Sequence, residues 1–287
     1  MLTMYFDSQE EQANWHVRFK NSDFFIRQAI HSVHKDGQKS VSFLWDPDQE
    51  EIFCHALIDA LYTFFSTYHL ECKIRDVIRE RFLYEDEDEI SQIAEIALLM
   101  WDGEAAYCGS HHLSEQLKKQ VKYLLQEVVK QRIDFSFRSL WNFRLRDIHE
   151  SLVTLVGFAI DEYKLEQDYQ EFISVLRRLI EERNPQIDEI HLVYHEEFQF
   201  YNRYFEPISK QDILKVIDRK LMAENPMFID SNTIAPLVSL APKRIHIYAD
   251  DEDNRVITTL RKIFEERILL FRISYFHEQV KKVEERS

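Results

Sequence analysis

The sequence predicts an α+β fold, with a helical middle region and mixed α/β segments at its N- and C-terminal ends. Three observations carry that expectation. Apolar residues recur at helical spacing from about residue 50 to residue 183, short apolar runs bounded by turn signals flank that stretch, and apolar residues make up 45% of the 287.

The N-terminal segment, 1–45, reads as strand-containing. Leu2 to Phe6 is apolar and aromatic, Phe24 to Val33 fits a strand or a helix, and His34-Lys35-Asp36-Gly37 supplies a turn before a strand over Ser40 to Trp45. Asp46-Pro47 opens the helical region, 46–184, with a capping residue ahead of a proline at a first helical position. Ile52, Phe53, Leu57, Leu61, Phe64, Phe65 and Tyr68 line the first stripe. The acidic run Glu85 to Glu89 suits the start of a helix carrying Ile90, Ile93, Ala94, Ala97 and Trp101, because a helix N-terminus is electropositive. Leu113 to Val128 forms a third stripe and Ile148 to Tyr163 a fourth, which either continues to Ile180 or bends near Glu166 to Asp168.

Asn184-Pro185 closes the region, since the residue before proline is pushed out of helical geometry. The C-terminal α/β region, 185–287, then reads as strands over Ile187 to Tyr194 and Phe198 to Phe205, and a helix over Gln211 to Met222. A strand over Ile245 to Tyr248, a helix over Arg255 to Glu266 and a last strand over Ile268 to Ile273 follow. Thr233 to Pro242 reads as buried apolar packing between prolines. The segment 1–45 and the region 185–287 are candidates to pack as one compound domain.

Composition closes off several functions. Only 4 glycines are present, where roughly 7% is ordinary usage, and neither a G-x-G-x-x-G nor a Walker A loop can be written. A net charge of −15 repels nucleic acid and anionic lipid on average. The apolar run from Leu152 to Ile160 falls far short of the roughly 18 residues of a membrane span. Three widely spaced cysteines and an N-terminus without an apolar leader lead to the expectation of a cytoplasmic protein.

Two constellations carry chemistry. The segment Ser114 to Arg146 holds eight bases against three acids and interleaves aromatics with arginines, so Arg132, Arg138, Trp141, Arg144 and Arg146 form a candidate surface for nucleic acid or another anionic ligand. Pairing of those arginines with nearby carboxylates is the competing expectation. Cys108, His111 and His112 form a candidate reactive or metal-binding cluster, against a plain helix-capping turn with Ser110 as N-cap. His191 and His195, four apart on a strand, share a face as two possible ligands or as ordinary surface histidines. No Glu-x-x-His, H-E-x-x-H or G-x-S-x-G is present, so no catalytic residue, cofactor or metal is assigned.

The successive words NFRLRD, AIDEY, DYQEF and PQIDEIHLVY, running from Asn142 to Tyr194, resemble the YtxC-like family, proteins assigned to sporulation in endospore-forming bacteria. LAPKRIHIYADDEDNRVITTLRKIFEERILL is similar to the family's closing region, and the stretch from His55 to Ala97 is similar, more loosely, to its earlier helical part. Family members finish with cysteines soon after the last strand, whereas LLFRISYFHEQ has none. The resemblance implies a cellular context and brings no active-site residue with it. The expectation is a non-enzymatic protein-interaction module with an unidentified protein partner; an anionic-ligand binder and a metal- or thiol-dependent enzyme are the alternatives.

Overall fold

The computed structural model describes residues 1–19, 39–45, 48, 50–104, 110–144, 146–217, 232–251 and 254–285. The expected helical start at Asp46-Pro47, the run Phe24 to Val33 and the turn at Asp36-Gly37 lie outside them. The chain divides into two compact units, Met1–Leu165 and Glu166–Ser287. The fold is α+β, with a helical middle.

The first unit opens with β1 (Leu2–Tyr5) and α1 (Gln9–Phe19). β1 pairs antiparallel with β2 (Ser40–Phe43), Leu2 opposite Phe43, and parallel with a two-residue strand, β3 (Phe135–Ser136), Met4 opposite Phe135. Strand β3 is too short to show in the hydrophobic pattern, yet it ties the N-terminal strands to the helices. Leu2, Met4, Val41 and Phe43 enter the same core as the helical residues. Ser8 caps α1 by accepting from the Glu11 N–H at 3.0 Å, while the Glu11 carboxylate takes the Asp7 N–H at 2.6 Å. The cap aims Trp15 into the core, edge-on to Phe43 and Phe64.

Helices α2 (Glu50–Phe64) and α3 (Leu70–Phe82) are joined by a π-helical turn, Phe65–His69, closed by the Leu70 N–H on the Phe65 carbonyl. The buried stripe Leu57, Leu61, Phe64, Phe65, Leu70, Ile74, Val77, Ile78 explains the turn. Its step from Phe65 to Leu70 is five residues, which a 3.6-residue helix would rotate off the core and a wider turn absorbs.

Asp86 caps α4 (Glu87–Asp102) by accepting from the N–H groups of Asp88 and Glu89, and Gly103 ends it in the left-handed conformation at φ 86°. Helix α5 is Ser110–Lys130. It stops at Arg132 (φ 54°), where the Ile133 N–H reaches Val128 O and the Arg132 N–H reaches Val129 O, satisfying the last carbonyls. Short helix α6 (Phe137–Phe143) starts at a reciprocal box in which Ser136 and Ser139 each bond the other's backbone N–H at 3.1 Å. Helix α7 is Arg146–Glu182, so of the two courses expected for its stripe the helix takes the one that continues to Ile180.

The second unit is a four-stranded sheet in the order β5-β4-β6-β7, from β4 (Glu189–Tyr194), β5 (Phe198–Tyr201), β6 (Arg244–Tyr248) and β7 (Ile268–Phe271). β4 runs parallel to β6, and β6 to β7; only β5 is antiparallel. Ile190 and Leu192 of β4 and Ile245 and Ile247 of β6 face one core. That core is completed by the C-terminal part of α7, α8 (Lys210–Val216), α9 (Ile234–Leu240) and α10 (Arg255–Phe264). The expected apolar packing segment at Thr233 to Pro242 is α9, six of whose residues are buried. The alternate residues Val193 and Tyr248 face a second, smaller cluster with Phe276 of α11 (Ile273–Glu284). Sequence periodicity passed over α11, because Phe276 is its one buried residue.

Candidate functional site

The first unit carries a cleft of about 520 Å³ whose long wall is one face of α3 and the turn before it. His69, Lys73, Asp76 and Glu80 succeed one another along this face at spacings of four, three and four, so their side chains share it, with Val77 beside them. The opposite wall is α6 with Phe137, Arg138, Trp141 and Asn142, joined by His149 from the first turns of α7 and by Asp7 beyond β1.

Packing fixes this geometry. His69 stacks on Phe137 with ring centroids 4.4 Å apart. Its Nε2 lies 3.0 Å from the buried Glu11 carboxylate, yet the approach is off-axis and the nitrogen makes no hydrogen bond. Trp141 is the hub of the far wall: the Lys73 ammonium sits 5.6 Å from its ring centre and His149 meets it edge-on at 5.7 Å. Lys73 is also held 2.8 Å from Asp76. The His149 Nδ1 is buried without a hydrogen bond, so one imidazole nitrogen on the cleft wall has unused bonding capacity. Cys72 is the lining thiol. Although Cys72 is exposed, partial desolvation at the cleft wall, then Asp76 and Glu71, push its ionisation above the ordinary range, which disfavours the thiolate.

Of the predicted anion-binding set, the structure brings Arg138 and Trp141 into this cleft. Arg132 is engaged elsewhere: its guanidinium bonds Glu50 at 2.8 Å, lies 5.0 Å from the Trp45 ring centre, and holds the Glu50 carboxyl below its usual range. It is the pairing weighed above as the competing expectation. Arg144 is exposed next to Phe143, which is 83% exposed. The Arg146 side chain lies outside what the structure describes, as does Cys108. His111 and His112 are exposed in the first turn of α5, and Ser110, expected as its N-cap, is that helix's first residue and fully buried.

The histidines of the second unit are arranged differently from the sequence expectation. β4 ends at Tyr194 and His195 is exposed beyond it, so the i,i+4 pair does not form. Instead His191 stands opposite His246 across the parallel ladder, with rings 4.6 Å apart. The Tyr248 hydroxyl lies 3.0 Å from His191 Nδ1. Glu189 Oε1 lies 2.6 Å from His246 Nε2, off the axis of a hydrogen bond, and 4.0 Å from His191 Nε2. Burial, then the neighbouring His246, pushes His191 down to about 4, against the pull of Glu189. Burial also lowers His246 and raises Tyr248 above its usual range. Among the described residues no three His, Cys, Asp or Glu form a metal-binding group. Sequence reasoning missed His246 because its tie to His191 is a strand register across 55 positions of chain.

Structure and cleft define a helix-rich α+β protein with a polar groove. The YtxC-like family matches residues 55–269, and the chain belongs to that family. It is 32% identical over 213 residues to the Bacillus subtilis (strain 168) protein named "Uncharacterized protein YtxC", covering 73% of this chain and 75% of that protein. No solved structure matches it. No helix among the described residues is long and apolar enough to cross a membrane.

Proposed function

We propose that this chain is a non-enzymatic, sporulation-associated interaction protein of the cytoplasm, and that its α3 groove receives a polypeptide segment of its partner. The observation that carries this reading is the mixed sign of the groove. Lys73 and Arg138 alternate with Asp7, Asp76 and Glu80 around Trp141. A small ion of either sign meets its own sign within one helical turn. A polypeptide offers backbone donors and acceptors together with side chains of both signs. From His69 to Glu80 the wall extends about 16 Å at 1.5 Å per residue, room for about five extended residues. The raised Cys72 thiol supports binding over chemistry.

The test is capture of partners from cells entering sporulation, using wild type and Trp141→Ala, with half of each sample treated with nuclease. Nuclease-resistant partners lost with Trp141→Ala are expected. Retention of the same partners by the variant overturns the reading.

A second reading, binding of nucleic acid or another anion, is favoured by Arg138 and Arg144, which have no carboxylate partner among the described residues. It predicts partners that vanish with nuclease and salt-sensitive binding lost in the Arg138→Glu, Arg144→Glu double variant.

A further inference from the structure

We propose that proton uptake by the paired His191 and His246 releases α11 from the face of the C-terminal sheet. The argument starts from what seats that helix. Its one buried residue, Phe276, packs against Tyr248 at 5.1 Å and Phe205 at 5.6 Å between ring centres. Both of those rings rest on His191: the Tyr248 hydroxyl bonds its Nδ1, and Phe205 lies 4.5 Å from its ring. His191 is 4% exposed, so a charge placed there has almost no water to solvate it. Across the ladder, the His246 ring at 4.6 Å adds like-charge repulsion as soon as both are protonated.

The surroundings leave little to offset that charge. The titratable and charged groups around the pair are Glu189 on β4, Arg244 and Tyr248 on β6, and Tyr275 on α11. Tyr201 stands opposite His191 on β5, and Phe271 of β7 stacks on His246. Glu189 is thus the one acid among them, and it sits nearer His246, at 2.6 Å against 4.0 Å. It therefore offsets a proton on His246 more than one on His191. Protons have a route, because the Glu189 and His246 side chains are 27% and 15% exposed.

The sign follows from His191 being pushed down from 6.5 to about 4 in the closed form. Above 6.5 neither form binds the proton and the seat is stable. As pH falls below 6.5 the open form binds it and the closed form does not, so opening rises by up to about tenfold per pH unit per proton. Near 4 the closed form also protonates and the gain stops.

Amide hydrogen exchange on the full chain between pH 7.5 and 4.5, corrected for intrinsic rates, tests this. In the wild type the opening constant of α11 should climb up to tenfold per unit below 6.5 while β4 and β6 stay protected. His191→Asn keeps an acceptor for Tyr248 and cannot titrate, so its α11 should lose most of that slope. His246→Asn, at a more exposed position, should reduce it by removing the repelling neighbour. A flat wild-type profile, an unchanged slope in both variants, or β4 and β6 exchanging in step with α11 would overturn the proposal.

Discussion

Replacing Tyr248 with phenylalanine deletes one hydroxyl and leaves the ring that packs on Phe271 and Phe276 in place. The hydroxyl lies 3.0 Å from His191 Nδ1, with Tyr248 1% and His191 4% exposed. Burial holds the phenol un-ionised above its usual range and keeps the imidazole neutral at pH 7.5. In the tautomer with the ring proton on Nε2, the side that faces Glu189 at 4.0 Å, Nδ1 accepts from the phenol. Tyr248→Phe therefore strands a buried acceptor that water does not reach, at a cost of about 1–3 kcal/mol. Because the chain has two compact units, a single unfolding midpoint would blend them. The assay is native-state amide exchange read separately at β4 and β6, and the cost corresponds to a rise of about 5- to 150-fold in their opening constants. The cost should shrink in a His191→Phe background, where no acceptor is left to strand. A change below about 0.5 kcal/mol in the wild-type background would refute the buried-bond argument, that being the range of surface substitutions.

Three further outcomes follow from the same kind of reasoning. Asp86→Ala removes the side chain that accepts from Asp88 and Glu89, so amides in the first turn of α4 should lose about 0.5–2 kcal/mol of protection, and Asp86→Asn much less. Arg138→Glu, at an exposed position without a partner among the described residues, should leave amide protection of the first unit's core helices within about 0.5 kcal/mol while changing partner capture; a larger loss would make Arg138 structural. With Cys54 and Cys108 replaced by serine, alkylation of Cys72 should climb about tenfold per pH unit from 7 to 9, because its raised ionisation keeps the thiolate scarce; a plateau below pH 8.5 would contradict the burial effect.

Helices were legible here where an apolar stripe met a polar face. Asp86, the acids behind it and Gly103 bracket α4 in the sequence as they do in space. The stripe of α2 reads on to Tyr68 in the sequence, but the buried residues step five positions from Phe65 to Leu70, which breaks the 3.6 period, and that step is where the π-helical turn forms. β3 left no pattern because two residues carry no alternation, yet it is the strand that brings Leu2 and Met4 to the helical core. With Phe276 alone buried, α11 presents too narrow a stripe to be told from a polar tail.

The two polar sites were hidden for a different reason: each is assembled by tertiary registers that local spacing does not encode. Arg138 and Trp141 could be picked out as an aromatic–arginine pair, but the opposite wall comes from a helix some sixty residues earlier in the chain. The π-helical turn is what sets that wall, because a five-residue step rotates His69 and Lys73 relative to the stripe before them. The net charge of the Ser114 to Arg146 segment, read as one basic surface, divides in space according to partners: Arg132 is consumed by Glu50 and Trp45, Lys118 by Glu115, and Arg138 is left facing the groove. A basic stretch in an acidic chain therefore marks a binding surface only at the cations its own carboxylates do not reach, and among the candidate arginines that test sets Arg132 aside and keeps Arg138 at the cleft and Arg144 outside it.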